Sequence, residues 1–264
     1  VYAGLRPLLA GESEGTSALS REHMVAHPVP GLVAVAGGKY TTYRVMAADA
    51  VDAAVHGLEE DNIPASATDR IGLLGADGHL ARWNARHRIA EQSGVHVTRI
   101  EHLLHRYGAL IDDLLELIAQ DPSLGEPLEG SDDYLRVEVV YAATHEGAAH
   151  LEDVLTRRTR TSIETWDRGL SAAEPAARLM AGPLGWDDAH VQREVEHYRA
   201  RVAAERESQE QDDDLSADAA RLGAPDVAPV LPVERLTERN TRAAALEDAE
   251  GRGEHATAPV APRG

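Results

Sequence analysis

The stretch Leu32-Val33-Ala34-Val35-Ala36-Gly37-Gly38-Lys39-Tyr40-Thr41-Thr42-Tyr43-Arg44 decides how the first part of the chain is read. Its unbroken apolar run, bounded by Pro30-Gly31 and Gly37-Gly38, predicts a buried strand. The paired glycines lack Cβ atoms, so the backbone there can bend sharply or approach another group closely. Thr41 or Thr42 then caps a helix whose apolar positions include Val45, Ala48, Val51 and Val55. Strand, glycine bend and helix follow in direct succession. The first amides of a helix lack partners and carry the positive end of its dipole, so a negative group sits well at such a corner. Taken alone, the same pattern also describes an ordinary tight strand-to-helix connection.

Working outward, Val1 to Leu9 is short and apolar around Arg6 and reads as a strand already in progress, so the chain is expected to be a fragment. Gly11 to Thr16 is a polar turn, and Ser20-Arg21-Glu22-His23 leads into Met24 and Val25. Residues 58–70 are polar and contain Pro64, which predicts a linker between a first domain over 1–60 and a helical one over 71–206. Within the second, Thr98 and Glu101 form a capping box, and Leu110, Ile111, Leu114, Leu115 and Ile118 lie at helical spacing. Further helices are expected over 134–144, 151–165 and 188–206, with Pro175, Gly182, Pro183 and Gly185 breaking the pattern before the last. From Glu207 to Gly264 large apolar residues are few. Burial there cannot offset the entropy of ordering, and an acidic disordered tail is expected, with a transient helix near Ala243 to Glu250. The fold class is α+β: the C-terminal part of an α/β domain, an all-α domain and a tail.

Composition narrows the function. The 264 residues carry 45 acidic and 26 basic side chains, a formal charge of −19, which repels nucleic acid phosphates and excludes a general nucleic-acid binder. There is no cysteine, hence no disulfide or thiolate chemistry, and a reducing cytoplasm fits. No apolar run is long enough to span a bilayer, so membrane contact is expected to be peripheral. Phe is also absent, leaving the core to aliphatic residues. Lys39 is the only lysine, in a chain whose other basic residues are arginines, as a GC-rich genome would produce. A lysine kept against that bias marks a place where a compact ammonium does what a planar guanidinium cannot.

Three strings occur in order: Gly4-Leu5-Arg6-Pro7-Leu8, Ser20-Arg21-Glu22-His23 and Gly37-Gly38-Lys39-Tyr40-Thr41-Thr42-Tyr43-Arg44. Together they resemble FAD-dependent, aerobic-type glycerol-3-phosphate dehydrogenases of the D-amino-acid-oxidase-like flavoprotein family, here in an actinobacterial style of sequence. The resemblance is strong over 1–57. It continues less sharply through Glu146, Leu155-Thr156-Arg157-Arg158-Thr159-Arg160 and Gly185-Trp186-Asp187, which look like the family's C-terminal helical domain. It implies Arg6, Arg21 and Lys39 as substrate-binding residues, Lys39 and Arg6 being catalytic. It also implies Gly37, Gly38, Lys39, Tyr40, Thr41 and Thr42 as the border of the FAD isoalloxazine. Arginine forks suit a phosphate dianion, and a lysine ammonium can reach both substrate oxygen and flavin. The implied reaction is hydride transfer from glycerol 3-phosphate to FAD, giving dihydroxyacetone phosphate, with electrons passed to a quinone. The implied location is the cytoplasm or the inner face of the cell membrane, and a homodimer is possible. The Gly-x-Gly-x-x-Gly nucleotide signature is absent from these 264 residues, so the chain alone is expected neither to retain FAD nor to turn over.

Other signals are weaker. His145, Glu146 and His150 resemble a zinc helix, but the histidines are five apart, where four would place both on one face. His102 and His105 lack a convergent carboxylate, and Asp212-Asp213-Asp214 reads as solvated chain, so no metal site is expected. Arg157, Arg158 and Arg160 are expected in ion pairs, with an anionic membrane surface as the lesser option. Two other functions compete: a related amine or amino-acid flavin oxidase, and an acidic helical interaction module without catalysis.

Overall fold

A computed structural model describes residues 22–56, 58, 63–64 and 66–224. Packing divides the chain into two units, Val1–Leu115 and Glu116–Gly264. Residues 68–71 are tied back to the preceding helix through Arg44, as described below.

In the first unit, β1 (His23–Val29) and β2 (Leu32–Gly37) form an antiparallel hairpin, with Val25 opposite Val35 and His23 opposite Gly37. The turn between them uses Gly31 at φ 81°, a conformation suited to glycine. The expected strand is present but its expected burial is not. Leu32 is 51% exposed and Val35 41%, since this unit places a single two-stranded ribbon and one helix around them among the described residues. α1 (Tyr43–Val55) follows, starting as expected after Thr42, and it too contains no buried residue.

Downstream, α2 (His79–Asn84) and α3 (Arg86–Ser93) precede α4 (Val97–Tyr107). α4 buries Ile100, Leu103, Leu104 and Tyr107 on one face, as the periodicity predicts. Its cap differs from expectation. His96, not Thr98, is the N-cap, and its imidazole accepts the Thr98 amide at 3.3 Å while Thr98 lies within the helix. Where α4 ends, Gly75 and Gly108 meet backbone to backbone: the Ala109 amide donates to the Gly75 carbonyl at 2.8 Å. Both glycines have positive φ, and a Cβ on Gly108 would meet the Gly75 carbonyl carbon at 2.9 Å. α5 (Ile111–Gln120) then carries buried Ile111, Leu114 and Ile118.

The second unit is not all-α. β3 (Pro127–Leu128) and β4 (Ser131–Leu135) form a small antiparallel hairpin ahead of α6 (Arg136–His145), so the helix expected from Tyr134 begins two residues later. Glu138, 1% exposed, turns its carboxylate back to accept the Leu135 amide at 2.7 Å, capping α6 from inside the core. The helix expected over 151–165 is broken. A π-helical turn at Asp153–Arg158 ends at Thr159, whose hydroxyl donates to the Val154 carbonyl at 2.8 Å, and a short α7 (Thr161–Glu164) restarts. Conversely α8 (Leu170–Leu184) runs straight through Pro175 and Pro183. Each proline forfeits one backbone bond. The buried face Ala172, Ala173, Ala176, Ala177 and Met180 holds the helix together against α6 and α9 (Asp188–Ser208), and Gly185 at φ 68° stops it.

The core of this unit gathers Leu128, Val139, Leu151, Leu155, Met180 and Val195 around the single aromatic Tyr198, mostly aliphatic as the lack of Phe leads one to expect. The tail does not begin at Glu207. α9 extends to Ser208, and α10 (Asp214–Leu222) packs on it, capped by Asp213 accepting the Ser216 amide at 2.9 Å. Residues 225–264, including the helix expected near 243–250, lie outside the described residues.

Candidate functional site

The corner after β2 is built by the residues the sequence singles out. Gly37 and Gly38 both adopt left-handed backbone, φ 78° and 81°, and the Gly38 amide donates to the Glu22 carbonyl at 3.3 Å. A Cβ on Gly38 would lie 2.5 Å from Met46 Sδ and 3.1 Å from His23 Cβ, so this glycine lets β1, β2 and α1 close together. Lys39 is extended (φ −133°, ψ 150°) and precedes a single tight turn, Tyr40–Thr42, from which α1 continues. Thr42 folds back over that turn: its hydroxyl donates to the Lys39 carbonyl at 2.9 Å and accepts the Lys39 amide at 3.3 Å.

This local lacing leaves particular groups free. The amides of Tyr40 and Thr41 open the helical segment without a partner among the described residues. The Lys39 side chain is exposed and makes no ion pair or hydrogen bond there, in a chain where acidic side chains outnumber basic ones. Tyr40, 91% exposed, has its ring 6.1 Å from that of Tyr43. Two amides without a described partner beside an exposed cation make a donor set that suits an anionic edge such as the pyrimidine side of a flavin. Arg44, the next cation, is already engaged by the Thr68 and Ile71 carbonyls, the latter at 2.6 Å, and belongs to the scaffold.

Gly37, Gly38, Lys39, Tyr40, Thr41 and Thr42 are thus one contiguous corner. Arg6 and Arg21 lie outside the described residues. The contact that braces the corner escapes sequence reasoning: His23 Nε2 and Asp49 Oδ2, 2.6 Å apart, join β1 to α1. The two residues are distant in sequence and carry no motif, so only the folded register reveals the pair.

The weaker signals resolve as structure. Arg157 bonds Glu152 at 2.8 Å and Asp153 at 2.9 Å, Arg160 pairs with Glu164 at 3.1 Å, and Arg158 donates to the Glu146 carbonyl. These are the expected ion pairs and one backbone anchor. His145 stacks on Tyr141 with centroids 4.5 Å apart, whereas His150 Nδ1 lies 2.9 Å from Glu194. Glu194, 1% exposed, also accepts the Leu151 amide at 2.9 Å. Among the described residues no group of three ligand-type side chains could hold a metal, and no helix is long and apolar enough to cross a membrane.

Residues 66–191 match the family described as the C-terminal domain of alpha-glycerophosphate oxidase. Over 226 residues, 86% of the chain, it is 56% identical to glycerol-3-phosphate dehydrogenase 2 of Mycobacterium tuberculosis, and equally to glycerol-3-phosphate dehydrogenase of Mycobacterium leprae. The mitochondrial glycerol-3-phosphate dehydrogenase SDP6 of Arabidopsis thaliana is 32% identical over 74% of the chain. The chain spans 38% of the length of the mycobacterial relatives and 33% of the plant one. By sequence, the chain belongs to the glycerol-3-phosphate oxidase and dehydrogenase family, in its C-terminal region.

Proposed function

We propose that the Gly37–Thr42 corner is the substrate- and flavin-facing edge of an FAD-dependent glycerol-3-phosphate dehydrogenase. The observation that carries the reading is Lys39: the sole lysine, exposed and unpaired among the described residues, between a left-handed glycine pair and the free amides of Tyr40 and Thr41. FAD, when bound, supplies a hydride acceptor for the secondary alcohol carbon of glycerol 3-phosphate, yielding dihydroxyacetone phosphate and passing electrons to a quinone.

The chain's own residues do the positioning. Lys39 brings a compact positive charge to the substrate oxygen and restrains it for transfer. The Tyr40 and Thr41 amides favour negative charge at the ring edge they face, a preference the start of α1 strengthens. Arg6 and Arg21 complete the pocket as forks for the phosphate. The family relation supports this reading, since the relatives named above are glycerol-3-phosphate dehydrogenases.

The test is rapid-mixing flavin reduction by glycerol 3-phosphate in the complete protein. Lys39→Ala lowers the reduction rate while the folded fraction stays unchanged, and Lys39→Arg restores charge without restoring full rate. Arg6→Ala and Arg21→Ala weaken substrate affinity, each by about 2 kcal/mol, the scale of a charge-assisted bond left unmade. An unaltered rate in Lys39→Ala removes that residue from the reaction. Reduction by sarcosine or glycine in place of glycerol 3-phosphate turns the reading toward an amine or amino-acid oxidase.

A further inference from the structure

No residue of α1 is buried, and Val45 and Val51 on it are both more than half exposed, so apolar packing among the described residues does not fix this helix against β1 and β2. Two side chains on one face of α1 reach the hairpin instead. Met46 lies over Gly38, where a Cβ would come within 2.5 Å of its sulfur. Asp49, three residues further along, meets His23 of β1, with Oδ2 2.6 Å from Nε2. Both contacts fall at one spot. His23 stands opposite Gly37 in the strand register, and its own Cβ would lie 3.1 Å from a side chain on Gly38. The Glu22 carbonyl, one residue earlier, accepts the Gly38 amide at 3.3 Å. The start of β1 is thereby bonded to α1 on one side and to the glycine pair on the other.

The chemistry of the pair suits alignment. An ionised carboxylate only accepts, so the proton of this bond sits on Nε2, and Asp49 holds the imidazole of His23 in one orientation. The side chain of His23 is 18% exposed and that of Asp49 50%. A pair this open to water contributes little to unfolding free energy, because solvent screens the charges. Its hold on geometry is a separate matter. α1 starts at Tyr43, directly after the Tyr40–Thr42 turn. A tilt of α1 about Gly38 therefore moves Lys39 and the amides of Tyr40 and Thr41, and a displacement on the order of 1 Å can cost about a hundredfold in rate.

We propose that His23 and Asp49 are positioning residues for hydride transfer, aligning α1 so that Lys39 and the Tyr40 and Thr41 amides meet substrate and flavin together; this rests on the reading of the Gly37–Thr42 corner given under Proposed function. The pair acts through the corner it aligns, so its loss lowers rate far more than it lowers stability.

The test compares Asp49→Ala, Asp49→Asn, Lys39→Ala and the double variant Lys39→Ala with Asp49→Ala in the complete protein. Alanine favours a helix and position 49 is half exposed, so the variants fold and melt close to the wild type. Without substrate, hydrogen exchange of the amides of residues 40–46, read by mass spectrometry, rises about tenfold in Asp49→Ala. In rapid mixing with glycerol 3-phosphate, the limiting rate of flavin reduction falls about tenfold while the half-saturating concentration stays within about twofold. Asp49→Asn, whose amide oxygen accepts the same N–H, stays within about threefold of the wild type in exchange and in rate. The double variant is no slower than Lys39→Ala alone, because both changes disable one corner.

Four results overturn the proposal while Lys39→Ala still slows reduction, which leaves the reading of the corner standing. They are a wild-type rate or wild-type exchange in Asp49→Ala, an equal loss in Asp49→Asn, a melting temperature that falls in step with the rate, and losses that multiply in the double variant. A wild-type rate in Lys39→Ala is the distinct outcome that removes the reading of the corner, and the positioning role with it.

Discussion

Residues 22–56 and residues 127–208 use the chain in opposite ways. The first region presents a hairpin and a helix without one buried side chain, yet it holds every described residue assigned to the proposed active site. The second buries a mostly aliphatic core, and its two buried glutamates, Glu138 and Glu194, both 1% exposed, receive backbone amides. On the proposed reading, packing and chemistry are carried by separate stretches: the corner keeps two amides and an ammonium without partners among the described residues, whereas the second region closes its buried carboxylates on backbone amides.

Substitutions can break that contrast. The largest effect is expected from Leu155→Ala, which removes a fully buried side chain and lowers unfolding free energy by about 3 kcal/mol in urea denaturation. Glu194→Ala comes next, at about 2 kcal/mol, because the buried Leu151 amide loses its acceptor. Tyr198→Phe acts through pH. Burial raises the Tyr198 phenol from 10.0 to about 12. The folded state thus prefers the protonated form, and this contribution is complete below pH 10 and fades as pH climbs toward 12. Alkaline denaturation of the wild type should steepen over that window, and the phenylalanine variant should lose that part of the slope. Smallest is Val51→Ala on α1, within about 0.5 kcal/mol, since Val51 is 57% exposed. A loss matching that of Leu155→Ala would erase the distinction between the two regions.

Short-range features were legible. The apolar run 32–36, its glycines and the helix after Thr42 stand where periodicity and turn chemistry place them, and so do the buried face of α4 and the start of α9. The differences come from packing between elements and from side chains that bond the backbone in ways propensity rules do not anticipate. Burial of β2 was inferred from hydrophobicity alone, but burial needs a covering layer that the described residues of this unit do not provide. Pro175 and Pro183 are breakers by propensity, but the alanine face of α8 gains more from packing than two missing bonds remove. The break at Thr159 is set by a hydroxyl reaching the Val154 carbonyl, and the α4 cap is an imidazole, a residue type that capping rules do not favour. At the site, glycine and lysine identities were visible, while the His23–Asp49 brace depended on β1 lying against α1.

The solitary lysine has a practical corollary. Because position 39 is exposed and no other side chain carries a primary amine, an acylating dye or crosslinker would report on that corner at a chosen spot. A protease specific for lysine would cut these 264 residues once, immediately ahead of Tyr40, and protection from it would register whatever comes to rest there.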